Sequence, residues 1–272
     1  MNTKLRDKIS GAIFGFAIGD AMGATTEFMT EEQIQKEHGQ ITDIVGGGWL
    51  DLKPGEVTDD TQMTICVMSA IMNQPETTDQ FIAYCEKNFI LWLLSKPKDI
   101  GAQCSAAIRD LTFGKKCDVN NQALGNGSLM RAMPLAVLGL PLWNITQGLI
   151  THNNKKCSDI ILGYHGLIQG YLYDTDIYNH TKIKSLLKPS GYIVNTFNNS
   201  VYWSCKDSFE EAIIGAVNHG GDADTIAAIT GSLAGAKFGY NAIPKRWLDK
   251  LDPSVKETLE KFQYFVFDCL QI

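Results

Sequence analysis

Two short acidic segments hold the residues best suited to chemistry. The first, Pro54-Gly55-Glu56-Val57-Thr58-Asp59-Asp60-Thr61-Gln62, sets two adjacent carboxylates among threonine hydroxyls where an apolar helical run begins. The second, Asn218-His219-Gly220-Gly221-Asp222-Ala223-Asp224-Thr225, sets two more where one helix ends at the glycine pair and another begins after Asp224. Each cluster alone has an ordinary explanation. Thr58 or Asp59 suits a helix N-cap, and Asp59 with Gln62 has box-like spacing. Adjacent carboxylates point in different directions, so capping accounts for only one of each pair. Carboxylate and hydroxyl oxygens are hard ligands suited to Mg²⁺ or Mn²⁺. Thr58, Asp59, Asp60, Asp222, Asp224 and Thr225 together could hold two divalent ions and leave positions for water and substrate. Without a cation, four converging carboxylates would repel one another.

Other candidates are weaker on their own. Asp20 and Glu27 are two helical turns apart and could share a face. Asp99 follows Pro97 and reads equally as a loop or helix-start residue. Gly125-Asn126-Gly127-Ser128 suits a tight turn before a helix, whose free N–H groups would make an anion site. From these residues alone a plain turn is the favoured reading. Arg131 could lean toward a phosphate or brace the core. Five histidines stand at 38, 152, 165, 180 and 219. His165 and His219 read as structural.

The elements that must position these residues are helical. Thr77-Thr78-Asp79-Gln80, Ser208-Phe209-Glu210-Glu211 and Ser254-Val255-Lys256-Glu257 have capping-box spacing. Phe81, Tyr84, Cys85, Phe89 and Trp92 then follow helical periodicity. Gly11, Gly15, Gly19 and Gly23 recur every fourth residue, as do Gly231, Gly235 and Gly239. Because each helical glycine costs about 1 kcal/mol relative to alanine, the stripes predict helices with unusually close backbones. The best strand candidates, Tyr192–Thr196 and Val201–Trp203, are short, and residues 170–207 are polar and aperiodic. The expected fold is all-α, with residues 1–272 forming a single domain.

Composition narrows the function. A formal charge of -6 without a basic stripe argues against nucleic acid and anionic membranes as partners. Lys4, Arg6 and Lys8 before an apolar run imitate a signal peptide, but Asp7 and Asp20 interrupt the pattern, so a buried first helix is expected. Seven dispersed cysteines without a CxxC pair suggest free thiols, a reducing compartment and a cytoplasmic location.

Six motifs in order carry a family resemblance: GAIFGFAIGDAMGATTEF, GEVTDDTQMT, PKDIGAQCSAAI, GNGSLMRAMPLA, SGYIVNT and FEEAIIGAVNHGGDADTIAAITGSLAGAKFG. TDDT and GGDADT about 160 residues apart, with GNGSLMR between them, form a specific combination. The chain resembles the ADP-ribosylglycohydrolases. The resemblance implies a compact orthogonal multi-helix bundle with a binuclear Mg²⁺ or Mn²⁺ centre on Thr58, Asp59, Asp60, Asp222, Asp224 and Thr225. It implies hydrolysis of the bond between C1″ of ADP-ribose and a protein side chain, most often an arginine nitrogen. ADP-ribosylated protein is then the substrate and ADP-ribose the product, with the enzyme a monomer. Serine-linked ADP-ribose, a free ADP-ribose derivative and a non-catalytic ADP-ribose-binding role are the alternatives. A two-metal phosphohydrolase would instead be expected to carry ExxE ligands. Asp99 or Glu27 matches the catalytic carboxylate. Gly101, Asn126, Gly127, Ser128, His152 and Tyr192 match substrate-side positions, with His152 toward the adenosine. After Gly101 the family's usual hydroxyl- or amide-bearing residues are replaced by Ala102, with Gln103 and Cys104 following, and His219 stands where an apolar residue is frequent; both bear on acceptor preference.

Overall fold

The computed structural model describes residues 2–119, 121–175, 183 and 185–272; His180 and part of the polar 170–207 segment lie outside them. The helices are α1 (Thr3–Gly23), α2 (Glu31–Glu37), α3 (Asp59–Met72), α4 (Thr78–Leu94), α5 (Ala102–Thr112), α6 (Met133–Val137) and α7 (Pro141–Leu149). They continue as α8 (Lys155–Tyr173), α9 (Ile193–Ser204), α10 (Phe209–Asn218), α11 (Ala223–Phe238), α12 (Lys245–Lys250) and α13 (Pro253–Leu270). Among the described residues, β-pairing is limited to isolated bridges between Gly47 and Leu52 and between Gly125 and Tyr192. The fold is all-α. No helix among the described residues is long and apolar enough to cross a membrane.

Local chemistry accounts for most helix starts. Thr77 caps α4 by accepting from Gln80 N–H, and Ser208 caps α10 by accepting from Glu211 N–H. The Gln80 side chain accepts from Glu76 N–H, so the reciprocal half of that box is displaced by one residue. Helix α13 corrects the third expectation. Its cap is Asp252, which accepts from Ser254 and Val255 N–H, with Pro253 in the first turn where its missing donor costs nothing.

Both strand candidates fall in α9 except for Tyr192, which precedes it at the cap position. Ile193, Thr196, Ser200, Val201 and Ser204 are its buried residues at helical spacing, and β-branched side chains disguised that stripe. Asn199 is buried with them because its side chain donates to Leu187 O and accepts from Leu187 N–H.

The centre of the molecule is the pairing of α1 with α11, its most extensive helix–helix contact. Nearly every residue of both helices is buried, so neither shows a polar face. The glycines explain how they fit. A Cβ on Gly15 would lie 2.3 Å from Gly231 O, and one on Gly235 would lie 1.9 Å from Gly11 O. Gly19 meets Ala227 and Gly23 meets Ala223, so each turn up α1 is matched by a turn down α11. The helices therefore run antiparallel at backbone contact. Gly239 lies just past the helix, with φ of +88°, and its backbone still meets Gly11. The pairing brings the C-terminal end of α1 to the N-terminal end of α11, where Asp222 and Asp224 lie.

Candidate active site

Asp20 ties a third helix to that junction. The Asp20 carboxylate, fully buried near the end of α1, accepts from Thr58 N–H at 3.0 Å and Thr61 N–H at 3.0 Å. It therefore satisfies free donors at the start of α3, an N-terminal task performed from another helix. Thr58 is the local N-cap, its hydroxyl accepting from Asp60 N–H at 3.3 Å, so the Asp59–Gln62 box does not form. Asp59 and Asp60 are left free to face inward. Asp222 occupies the cap position of α11, which starts one residue before Asp224, yet makes no side-chain capping bond. Helix α1 ends at Gly23, so Asp20 and Glu27 do not share a helical face; Glu27 lies in the following turn.

These segments line a cavity of about 330 Å³ with Glu27, Asp59, Asp60, Asp99, Asp222, Asp224 and Thr225 on its acidic side. Single oxygens of Glu27, Asp222 and Asp224 lie within 4.8 Å of one another. Thr58 and Thr225 hydroxyls both donate to Asp60 Oδ2 at 3.2 Å, while Asp60 Oδ1 and Asp224 Oδ1 are buried without a hydrogen-bond partner among the described residues. Asp59 Oδ2 accepts from Gly101 N–H at 3.3 Å, and the Asp59 carboxyl also hydrogen-bonds that of half-buried Asp99.

Removal from water makes ionisation costly throughout the cluster. Burial, followed by the charges of neighbouring acids, raises Asp59, Asp60 and Asp224 well above the usual carboxylate range. Burial raises Glu27 to about 8 against the lowering effect of the Trp49 indole, with Asp99, Asp222 and Asp59 adding to the rise. Asp222 rises to about 6 through burial, opposed by hydrogen bonds from Asn126 and Thr225. Burial also raises Asp99. No Lys or Arg is among the described residues lining the cavity.

The other side is built around the Gly125–Ser128 turn. Asn126–Ser128 forms one 3-10 turn, not the start of a long helix, which corrects the helix-terminus anion site expected there. Gly125 pairs with Tyr192 as an isolated bridge, and Asn126 N–H donates to Gly191 O at 3.0 Å. The Asn126 side chain donates to Thr196 Oγ1 and Asp222 Oδ2, linking this turn to the acidic side. A Cβ on Gly127 would lie 2.6 Å from Cys104 Sγ and 3.1 Å from the His152 ring. The glycine lets the backbone approach that ring.

Arg131 supports the turn from behind. Fully buried, it donates to Gln147 Oε1 at 2.7 Å, Gly127 O at 2.8 Å, Gln147 O at 3.0 Å and Thr151 Oγ1 at 2.7 Å. Its guanidinium also stacks 4.7 Å from the Phe89 ring centroid. Arg131 is thus a core brace. Because Thr151 Oγ1 accepts from Arg131, its own O–H donates to His152 Nδ1 at 2.9 Å, so the neutral ring carries its proton on Nε2 as a donor beside the glycines. Burial, reinforced by Arg131, holds His152 neutral with its pKa pushed down to about 3.

Eleven of the residues singled out from the sequence therefore line one cavity: Glu27, Asp59, Asp60, Asp99, Gly101, Asn126, Gly127, His152, Asp222, Asp224 and Thr225. Thr58 stands behind Asp60. Ser128 is buried beside Gly148, and half-exposed Tyr192 caps α9; neither side chain lines the cavity. His165 hydrogen-bonds Asn144, and His219 contacts Glu31 and Leu187 O, both as structural residues. Sequence reasoning missed Phe28 in the cavity wall and Trp49 beside Glu27. A Gly46-Gly47-Gly48 run immediately before a tryptophan was the available signal.

The same architecture recurs in known proteins. Residues 1–176 and 171–268 match the sequence profile of the ADP-ribosylglycohydrolases. The chain is 36% identical over 282 residues to the ADP-ribosyl-[dinitrogen reductase] glycohydrolase of Rhodospirillum rubrum, covering 94% of each protein. It is 30% identical over 286 residues to the ADP-ribosylarginine hydrolase Tri1 of Serratia proteamaculans, covering 90% of this chain and 75% of the relative. A solved structure described as an ADP-ribosylglycohydrolase-related protein complex superposes with a TM-score of 0.81 at 24% identity, over 98% of this chain and 99% of the other, and supports the fold.

Proposed function

The chain belongs to the ADP-ribosylglycohydrolase family, and from that membership we propose that it hydrolyses the bond between C1″ of ADP-ribose and an arginine side-chain nitrogen of a modified protein. The observation that carries this reading is the convergence of six cavity-lining carboxyls, two of them with buried, unpartnered oxygens. The arginine linkage draws on two relatives named as ADP-ribosylarginine hydrolases.

The donor set fits two divalent cations, Mg²⁺ or Mn²⁺. It consists of hard oxygens, it is costly to ionise alone, and Asp60 Oδ1 and Asp224 Oδ1 have no protein donor. Thr58, Asp59, Asp60, Asp222, Asp224 and Thr225 would hold them, with Glu27 alongside. Bound there, the cations supply charge that orients ribose hydroxyls and makes water more acidic.

The chain's own groups account for the remaining chemistry. The cavity carboxylates stabilise positive charge that develops at C1″ as the acceptor departs. Asp99 is assigned the proton transfer: it protonates the departing nitrogen and takes a proton from the water that adds to C1″, and it is half-buried at the cavity and hydrogen-bonded to Asp59. Glu27 is assigned instead to the cation group, because one of its oxygens clusters with Asp222 and Asp224. The glycine turn admits the diphosphate close to the backbone, and His152 Nε2–H donates on the adenosine side. Asn126, bonded to Asp222, fixes the spacing between the two ends.

The test offers arginine- and serine-linked ADP-ribosyl substrates to the wild type and to Asp99→Asn. The expected result is release of ADP-ribose from arginine, with kcat reduced at least about 100-fold in the variant, the scale of general acid–base catalysis. Release from serine alone would replace the acceptor assignment. ADP-ribose binding without release from either linkage would replace catalysis with a binding role.

A further inference from the structure

Glu27 is followed at once by an exposed aromatic ring. Phe28 lines the cavity yet is 65% exposed, and Trp49 beside it is 52% exposed. Their ring centroids lie 5.4 Å apart with the planes inclined at 47°. Large apolar side chains left in water at a cavity mouth call for a reason, and the backbone shows that these two are held there.

Phe28 has φ of +64°, a left-handed conformation that is unfavourable for a bulky L-residue. Two backbone bonds impose it: Phe28 N–H donates to Gly221 O at 2.6 Å, and Gly221 N–H donates to Met29 O at 2.8 Å. Trp49 is presented by three successive glycines, Gly46, Gly47 and Gly48, with φ of +71°, +82° and +66°. A Cβ on Gly48 would lie 2.2 Å from Ala24 O, so this loop is pressed against the turn that leads to Glu27. The Trp49 indole N–H donates to Glu27 Oε2 at 2.6 Å, which fixes the ring to the acidic side of the cavity.

We infer that Phe28 and Trp49 form the acceptor subsite, an aromatic platform that stacks on the guanidinium of an ADP-ribosylated arginine and so selects this acceptor over a hydroxyl-bearing one. The inference rests on the proposed reaction and adds the residues that recognise its leaving group. A planar cation is attracted to aromatic faces, and guanidinium stacks there better than a compact ammonium. The surrounding carboxyls favour a cation at the same place. The pair adjoins Glu27 and the Gly221–Asp222 join, the acidic side where the glycosidic bond is cleaved. His152 and the glycine turn, which serve the nucleotide side, are separate from it.

The experiment compares the wild type with Phe28→Gly and Trp49→Phe on ADP-ribosyl-arginine, with thermal melting and the dissociation constant for free ADP-ribose measured on each. Glycine accepts positive φ without strain, so Phe28→Gly removes the ring without lowering the melting temperature. Its KM is expected to rise about tenfold, the scale of a partly desolvated cation–π contact, with kcat much less affected. ADP-ribose affinity should be unchanged. Trp49→Phe keeps an aromatic face but loses the bond to Glu27, so its KM should move less than that of Phe28→Gly. An unchanged KM in Phe28→Gly would overturn the platform while leaving arginine hydrolysis intact. A parallel loss of ADP-ribose affinity would overturn it too, by placing the adenine on these rings. A wild-type enzyme inactive toward arginine linkages would remove both the platform and the acceptor assignment.

Discussion

Adding one methyl group at Gly235 probes the helix pairing on which the site depends. A Cβ there would lie 1.9 Å from Gly11 O and 2.2 Å from Gly11 C, against 3.4–4 Å for ordinary contact. Both obstacles are backbone atoms, so no side-chain rotation can relieve the clash and α1 and α11 must move apart. Helix propensity acts in the opposite direction, favouring alanine by about 1 kcal/mol. Overpacking a close-packed interior typically costs about 1–3 kcal/mol, and a backbone clash belongs at the upper end. The net expectation for Gly235→Ala is a loss of about 2 kcal/mol. For a chain of this size that lowers the melting temperature by about 4–8 °C. Gly166→Ala provides the control: Gly166 lies within α8, is exposed, and a Cβ there would meet nothing within 4 Å. It should gain up to about 1 kcal/mol from propensity alone. Thermal and urea unfolding of both variants decides the matter. Stabilisation of Gly235→Ala comparable to that of Gly166→Ala would refute the backbone-contact account.

Two further outcomes are expected. In the cation-free protein, Glu27 and Asp222 have folded values of about 8 and 6, above their ordinary values, so their stabilising contribution is present in acid and is lost as pH rises from about 4 to 8. Saturating Mn²⁺ or Mg²⁺, held as proposed, is expected to relieve that loss, with a cation-induced rise in melting temperature of several degrees at pH 8 and a much smaller one at pH 5; equal shifts would count against it. Arg131→Lys cannot supply donors to Gln147, Gly127 and Thr151 together, and urea unfolding should show a loss of about 2–4 kcal/mol from the unsatisfied buried groups. Wild-type stability in that variant would show that the brace is dispensable.

The parts of the site legible in the sequence were those with local signals. Paired carboxylates at helix starts, a glycine every fourth residue, and Asn126 beside Gly127 each announce themselves over a few residues. The functions of Asp20, Phe28 and Trp49 depend on residues distant in sequence. Asp20 caps α3 from α1, a relation that exists only once the glycine stripes have joined α1 to α11 and set α3 beside them. Trp49 reaches Glu27 across a loop of positive-φ glycines, and nothing in the residues between them specifies that contact. Ser128 shows the converse: a hydroxyl in a promising motif turns into the core because the 3-10 turn directs Asn126, not its neighbour, toward Asp222. The misread strand candidates in α9 arose because Ile193, Thr196 and Val201 carry β-forming side chains at positions where helical burial decides the outcome.

The proposed reaction is hydrolysis of ADP-ribosylated arginine in the acidic cavity with the help of divalent cations. Its most direct test measures ADP-ribose released from an arginine-modified protein by the wild type and by Asp59→Ala/Asp60→Ala, each with Mn²⁺, Mg²⁺ or excess EDTA. Expected are stoichiometric release by the wild type with cation, loss of release in EDTA, recovery on adding cation back, and none from the double variant under any condition. Undiminished release in EDTA, or equal release by the double variant, would contradict it.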